Sequence, residues 1–457
     1  MTVTIIPVET PSLGDRSYLV HDGRVAFVVD PQRDIDRLLA VAERAGVTIT
    51  HVLETHIHND YVTGGYALAR RTGAQYLVNA DDEVSFERTP VADGDVVEVS
   101  PNLHLRVLAT PGHTFTHLSY VLQGESPALF SGGSLLFGAT GRPDLLGATS
   151  THELARHQYR TARRLADHLP DDARLLPTHG FGGFCATTAT GAEISASTIG
   201  REREVNPVLS QDEEEYVADV LAGLDAYPDN YAHMGPLNAA GPGEPDLSPP
   251  ARADAAELRR RLEAGEWLLD LRHRTAFAAG HVPGTYNVAL DVRFASYLGW
   301  LLPWGAPVTL LGETEAQVAE AQREMVRIGI DRPAAATSGR PEWWTEGPLV
   351  TTPRASFADL EQVRHHRAVV VLDVRREKEW EQAHVDGAVH VPLHALLDRR
   401  DDIPAGEVWV HCASGYRASV AASILAAHGR QTVLIDDSFQ RSARACGLPL
   451  AGRDVAA

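Results

Sequence analysis

Residues 408–429 read VWVHCASGYRASVAASILAAHG, and they decide how the C-terminal third of the chain is built. Val408, Trp409 and Val410 favour a strand, and the alanine-rich run 418–427, closed by Gly429, favours a helix. Cys412 therefore stands on a loop that leaves a strand and opens a helix. There the unpaired N–H groups and the positive end of the helix dipole favour a thiolate, and the Arg417 guanidinium adds a full positive charge. Gly415 lets the loop curl, so that Ala413, Ser414, Gly415 and Tyr416 form an anion cradle around the sulfur. Such a cysteine is expected to act as a nucleophile.

The sequence upstream repeats. Leu269-Asp270-Leu271-Arg272, followed by His281-Val282-Pro283-Gly284, returns 103 residues later as Leu372-Asp373-Val374-Arg375 and His384-Val385-Asp386-Gly387. Two copies of one α/β domain are expected, at 252–345 and 353–457, with a seam at 341–354 where Trp343 and Trp344 cap a domain contact. In the first copy the strand 308–311 runs into Gly312-Glu313-Thr314-Glu315. With no thiol and two carboxylates where an anion would bind, that copy is expected to be structural. Ahead of the copies, 236–251 (PLNAAGPGEPDLSPPA) has the Pro and Gly density of a linker, and 201–223 reads as a charged helical segment. That segment completes a first domain at 1–240.

Four residues separate Cys412 from Arg417, one fewer than in the loop with which tyrosine phosphatases hold a phosphate. The shorter ring, with LDVR at 372–375 and HVDGA at 384–388, resembles the rhodanese family. In that family a cysteine takes up a sulfane sulfur as a persulfide and passes it to a thiophilic acceptor such as cyanide or a thiol. The resemblance makes Cys412 and Arg417 the catalytic residues of a sulfurtransferase, and the first copy the inactive half of a tandem pair with parallel sheets.

The first 180 residues alternate strand-like runs (24–30, 49–54, 75–79, 103–109 and 118–122) with helical stretches such as 35–45. After the run 51–54 comes Thr55-His56-Ile57-His58-Asn59-Asp60-Tyr61-Val62-Thr63-Gly64-Gly65. Two histidines and an aspartate at alternate positions can converge on a metal from a short loop. His113 in TPGHT and His179 in PTHG are further candidates beside small turn residues. In order and spacing these motifs resemble the metallo-β-lactamase fold, an αββα sandwich whose loops bring the histidines to one edge. Two departures matter. The dinuclear hydrolases of that family carry a histidine where this chain has Tyr61, and a metal-bridging aspartate where it has Gly133. His56, His58 and His113 survive as one set of three, with Asp60 and His179 as an incomplete second set.

A metallo-β-lactamase domain joined to rhodanese domains resembles the persulfide dioxygenases, in which one iron takes a persulfide and dioxygen to sulfite. The resemblance implies one non-haem Fe(II) per chain, with zinc and a metal-free domain as the alternatives. Its substrates are low-molecular-weight thiol persulfides, with thiosulfate or sulfite at the rhodanese site. A thioester hydrolase resembling glyoxalase II is a further alternative. Tyr61 is read either as a hydrogen-bond donor at the metal or as a space-filler, and His117 as a support to the ligands. Cys185, on the glycine-rich loop after His179, is a candidate secondary thiol.

Composition sets the outer bounds. With 457 residues, 44% of them hydrophobic, the chain has apolar mass for several cores. Asp and Glu exceed Lys and Arg by 61 to 41, and a net charge of -20 repels phosphate backbones and anionic lipid, so neither nucleic acid nor membrane is an expected partner. Three distant cysteines make no disulfide framework. With no leader-like N-terminus and no run of 18 apolar residues, the chain reads as cytoplasmic, and a homo-oligomer is compatible with it.

Overall fold

A computed structural model describes residues 3–182, 184, 186 and 195–455. The chain divides into two units, Met1–Asp246 with Met325–Gly329, and Leu247–Glu324 with Ile330–Ala457. Both copies expected from the repeat lie in the second unit, except Met325–Gly329 of the first copy.

The first unit holds two six-stranded sheets. One contains β1 (Thr4–Thr10), β2 (Asp15–His21), β3 (Val25–Val29), β4 (Thr48–Leu53), β5 (Gln75–Asn79) and β6 (Thr89–Val91) in that order. It is antiparallel up to β3 and parallel from β3 to β6. The other contains β7 (Val96–Ser100), β8 (Leu103–Ala109), β9 (Leu118–Leu122), β10 (Ala128–Gly132), β11 (Arg174–Pro177) and β12 (Ser197–Thr198), again in chain order.

Strand alternation divides the apolar side chains between layers. Tyr18, Val20, Phe27 and Val29 meet Leu105, Val107, Tyr120 and Phe130 between the sheets. Leu19, Ala26 and Val28 point the other way, onto α1 (Asp36–Ala45) and α2 (Gly65–Thr72). On the far face of the second sheet, Leu129 and Leu175 pack against Ala155, Ala162 and Leu165 of α3 (Ala148–His168). Helix, sheet, sheet, helix is the αββα sandwich that the histidine motifs imply.

Two local expectations change. The charged segment after β12 is three helices, α4 (Ile199–Val205), α5 (Pro207–Ser210) and α6 (Glu213–Gly223). Asn206 and Asp212 break it, because their side chains cap the helix that follows, accepting from the Val208 and Glu215 N–H groups. The linker also starts later than Pro236, which lies inside α7 (Tyr231–Ala240). Tertiary bonding overrides the proline there: the buried Asn238 donates to the carbonyls of His58 and Tyr61, both at 2.8 Å, and accepts from the Thr63 N–H at 2.9 Å.

In the second unit each copy builds its own parallel sheet. The first is ordered Tyr286–Asn287, Trp267–Asp270, Val308–Gly312, Ala335–Ser338. The second is ordered Arg354–Ala355, Thr432–Ile435, Val408–His411, Val370–Asp373, Val389–His390. The repeated Asp-x-Arg motif serves the fold in both. Arg272 is clamped on Asp270 and Arg375 on Asp373, each with an Nη2–Oδ2 distance of 2.6 Å, and each also donates to a carbonyl eight residues on. The tryptophan pair is split: Trp344 is buried in the first copy's core beneath Arg272, whereas Trp343 is 67% exposed. Among the described residues no helix is long and apolar enough to cross a membrane.

Candidate functional site

Strand β3 is apolar throughout and β4 ends on the buried pair Val52-Leu53; Asp30 and Glu54 follow them, both buried at the edge from which the histidine loop departs. Asp30 turns into the left-handed region at φ 48° and accepts from the Thr55 N–H (2.7 Å), the Thr55 hydroxyl (2.8 Å) and the Thr178 hydroxyl. One carboxylate thus fastens the start of the His56 loop to the loop that carries His179. Glu54 accepts from Thr63 (2.5 Å) and Tyr76 (2.9 Å), closing the far end of the loop. The two glycines at 64 and 65 are needed here: a Cβ on Gly64 would lie 2.2 Å from the Gln32 carbonyl, and one on Gly65 2.1 Å from Glu54 Oε1.

Four histidines converge at this edge, and each has one ring nitrogen anchored. His56 Nδ1 meets the Thr55 hydroxyl at 2.9 Å, and His113 Nδ1 meets the Arg142 carbonyl at 2.8 Å. His58 Nε2 stands 3.3 Å from both Asp30 and Glu54, and His179 Nδ1 stands 2.9 Å from Asp15 and 3.2 Å from Asp60. The opposite nitrogens, His56 Nε2, His58 Nδ1, His113 Nε2 and His179 Nε2, are buried with no hydrogen-bond partner among the described residues. Anchoring one imidazole nitrogen on a carboxylate or carbonyl fixes the ring so that the other can ligate a metal. The donor set fits a metal ion on that ground.

Ligand atoms of His56, His58 and His179 lie within 4.8 Å of one another, as do those of Asp15, Asp60 and His179. His113 stands beside them, its ring centroid 4.8 Å from that of His56 and 5.3 Å from that of His179. His179 thus joins the grouping more closely than its motif suggests, and Asp15 enters it although no motif marks it.

Electrostatics sorts the rings. Burial, reinforced by the neighbouring imidazoles, pushes His56 well below its ordinary range and His113 to about 3, so both are neutral, as ligands must be. Burial acts the same way on His58, but Asp30 and Glu54 outweigh it and raise the ring to about 9. His179 is raised likewise by Asp60 and Asp15. Burial and the Asp60 charge push Asp15 up to about 7.

Tyr61 is turned away from the free nitrogens. Its ring stacks on His58 at 4.3 Å and its hydroxyl lies 3.0 Å from His58 Nε2, on the anchored side. His117 has both nitrogens engaged, one with the Thr110 hydroxyl at 2.8 Å and the other accepting from the Gly133 N–H at 3.0 Å. It holds the turn in which Gly133 replaces the hydrolases' aspartate. A Cβ at Gly133 would lie 2.4 Å from His113 Cδ2, and the ring is held by its Nδ1 contact with the Arg142 carbonyl and by the close approach of Gly141, where a Cβ would lie 2.7 Å from Nδ1. Gly133→Asp is therefore expected to destabilise the protein by about 1–3 kcal/mol, read from a urea unfolding midpoint, and to lower its metal content. Cys185 lies outside the described residues.

The second candidate site begins where the strand Val408–His411 ends. Cys412 is 2% exposed, and the Gly415 N–H donates to its Sγ at 3.1 Å. Gly415 has φ 97°, and a Cβ there would lie 2.2 Å from Asp436, so the curl expected of the loop is present and only glycine allows it. Tyr416 begins the helix Tyr416–Ala427. Arg417 differs from expectation: its charge is paired, with Nη1 and Nη2 at 2.5 and 2.7 Å from the two oxygens of Glu379.

The thiol-free copy supports this helix along one face. The Tyr416 hydroxyl donates to the Ala289 carbonyl at 2.9 Å, the Ser419 hydroxyl donates to Asn287 Oδ1 at 2.6 Å, and Ser423 Oγ accepts from the Asn287 N–H at 2.9 Å. Tyr297 of the same copy stacks near Tyr416, with ring centroids 5.4 Å apart. Asn287 is fully buried, so Asn287→Ala is expected to destabilise the second unit by roughly 2–3 kcal/mol and to slow sulfur transfer, measured by thermal melt and by turnover.

Comparison with known proteins identifies the domains that carry the two sites. The rhodanese-like domain model matches residues 254–345 and 356–444, and the metallo-beta-lactamase superfamily model matches 15–179. A hydroxyacylglutathione hydrolase from Polaromonas is 34% identical over 34% of this chain, which spans 57% of that relative's length. Another, from Cupriavidus taiwanensis, is 32% identical over 48% of this chain and 91% of its own. A solved metallo-beta-lactamase from Staphylococcus aureus superposes with a TM-score of 0.67 and 29% identity, covering 74% of this chain and all of that one. The chain belongs to the metallo-beta-lactamase superfamily, and two rhodanese-like domains follow that fold.

Proposed function

We propose that the first unit oxidises low-molecular-weight thiol persulfides at one iron ion and that the second transfers sulfane sulfur through a Cys412 persulfide. The observation that carries this reading is the set of four anchored histidines with unpartnered nitrogens, three of which (His56, His58 and His179) bring ligand atoms within 4.8 Å of one another, where Tyr61 and Gly133 stand in place of two ligands of a dinuclear hydrolase. His56, His58 and His113 or His179 would hold the ion. Bound iron supplies the redox chemistry by which dioxygen takes a persulfide sulfur to sulfite. The protein's own part is to keep the rings oriented, with Asp30 and Glu54 retaining the proton on His58 Nε2 and Asp15 and Asp60 retaining it on His179 Nδ1.

Sulfite made by the first unit is a sulfur acceptor for the Cys412 persulfide, with thiosulfate as the product. Two sites on one chain raise the local concentration of such an intermediate. The compartment is the cytoplasm, and a gel-filtration mass reports whether copies of the chain assemble. The test is dioxygen uptake by anaerobically iron-loaded protein given glutathione persulfide, with iron counted per chain. Uptake at one iron supports the reading, and no uptake removes it.

Binding of the ion requires the proton on His58 Nδ1 to leave, and that ring titrates at about 9. Metal affinity of the stripped protein is therefore expected to rise between pH 7 and 9, with proton release, measured by calorimetry in two buffers.

The names of the relatives favour a second reading, hydrolysis of a hydroxyacylglutathione thioester. Two zinc ions per chain and thioester turnover would establish it. A metal content near zero, with sulfur transfer intact, would instead leave the first unit as a binding domain.

A further inference from the structure

The two rhodanese-like copies act as an internal control on which charge pairs the fold needs. Both keep the Asp–Arg clamp, as Asp270–Arg272 and Asp373–Arg375, with the same short geometry. Glu379 and Arg417 are paired in the second copy alone. The repeat places Ala276 opposite Glu379, in the third position of the helices Arg274–Ala279 and Glu377–Gln382. Sheet register pairs Asp270 with Leu311 and Asp373 with His411, so Gly312 stands where Cys412 does. The residues opposite Arg417, Ala316 and Gln317, carry no charge. The first copy builds its sheet without the thiol, the guanidinium or the carboxylate. The Glu379–Arg417 pair therefore goes with the thiol and not with the fold.

Glu379 is also held where a donor would meet it. The Arg376 N–H donates to its Oε2 at 3.1 Å, and its side chain is 25% exposed against 11% for Arg417. It lines a cavity of about 480 Å³ together with Arg375, Gln382, Arg444, Asp454 and Ala413, the residue that follows Cys412. Burial pushes Glu379 up, but Arg417 outweighs this and holds it below the usual carboxylate range, so it keeps its charge. An anion that reaches the Cys412 loop from this cavity meets the Glu379 carboxylate, and the guanidinium of that loop, Arg417, is already paired with it.

We propose that Glu379 is a specificity-determining residue, which sets this site against dianionic sulfur donors relative to monoanionic ones. The inference rests on the sulfurtransferase reading of Cys412. Thiosulfate and methanethiosulfonate isolate the charge, because both offer a sulfane sulfur on an oxidised sulfur and differ by one negative charge. In each case the Cys412 thiolate attacks the outer sulfur, the donor S–S bond breaks as the Cys412 S–S bond forms, and sulfite or methanesulfinate leaves with the electron pair. No outside oxidant or reductant is needed.

In the full chain, kcat/KM for both donors is measured with cyanide as acceptor, for the unaltered protein, Glu379→Gln and Glu379→Asp. Glu379→Gln is expected to raise the thiosulfate to methanethiosulfonate ratio about tenfold, the effect of one partly screened unit charge near the reacting sulfur. Glu379→Asp is expected to keep the original ratio. A ratio unchanged within about twofold in Glu379→Gln overturns the proposal. Should that variant fail to fold, Glu379→Ala, the residue at the matching place in the thiol-free copy, puts the same question with the same two outcomes. Transfer from neither donor by the unaltered protein would instead overturn the sulfurtransferase reading itself.

Discussion

Cys412→Ser is expected to abolish sulfur transfer, by at least about a thousandfold in kcat/KM, while the metal content and any dioxygen uptake of the first unit stay as they were. The loop supplies an N–H at 3.1 Å from Sγ and a helix opening at Tyr416, and these favour a charged nucleophile only where one can form. A serine hydroxyl in the same place stays protonated near neutral pH and cannot carry a sulfane sulfur. The exchange removes one polarisable atom and changes little volume, so the fold should tolerate it. Transfer that persisted in Cys412→Ser would show that the sulfur is carried elsewhere, with Cys446 as the next described free thiol to replace.

His56→Ala should act on the other site and leave transfer intact. Its Nε2 is one of the four buried histidine nitrogens at this edge without a hydrogen-bond partner among the described residues, and its ring lies within 5.4 Å of those of His58, His113 and His179. Removing it is expected to weaken metal binding by more than about a hundredfold, beyond the loss seen when a residue supporting a ligand is changed. Metal analysis after dialysis reads the first quantity and dioxygen uptake with a persulfide the second. Full metal content in His56→Ala would mean that the ion, if bound, is held by the Asp15, Asp60 and His179 grouping instead. The two variants together separate the halves of the proposed reaction: each should silence one activity and spare the other.

The residues proposed to carry chemistry were legible because they occur as local motifs. A cysteine on a strand-to-helix loop and histidines at alternate positions announce themselves over a few residues, and the repeat at 103 residues exposed the pairing of the last two copies. The supporting residues were not legible in the same way. Asp15, Asp30 and Glu54 are single acids at the ends of strands, and Asn238 is an asparagine in a proline-rich run. The one available signal was a charge directly after an apolar strand end, as Asp30 follows β3 and Glu54 follows the Val52-Leu53 end of β4. Nothing in their own segments states that Asn238 holds the loop at His58, since 180 residues separate the two.

By itself the sequence determined an alternating α/β pattern, the tandem copies, the thiol and the histidines, because hydrophobic periodicity, turn residues and side-chain chemistry act over short stretches of chain, while the sandwich came from the resemblance that the histidine motifs carry. Tertiary structure decided the charge state and aim of those groups. Arg417, a free cation in the sequence, is a neutralised one once Glu379 is folded beside it. His58 shows its Nδ1 to the site because two buried carboxylates hold its Nε2, and Gly133 cannot carry an aspartate because the His113 ring fills the space. Such facts depend on distances of a few ångströms between distant residues in a medium of low polarity, where one neighbour changes the sign of a site, and only folding sets those distances.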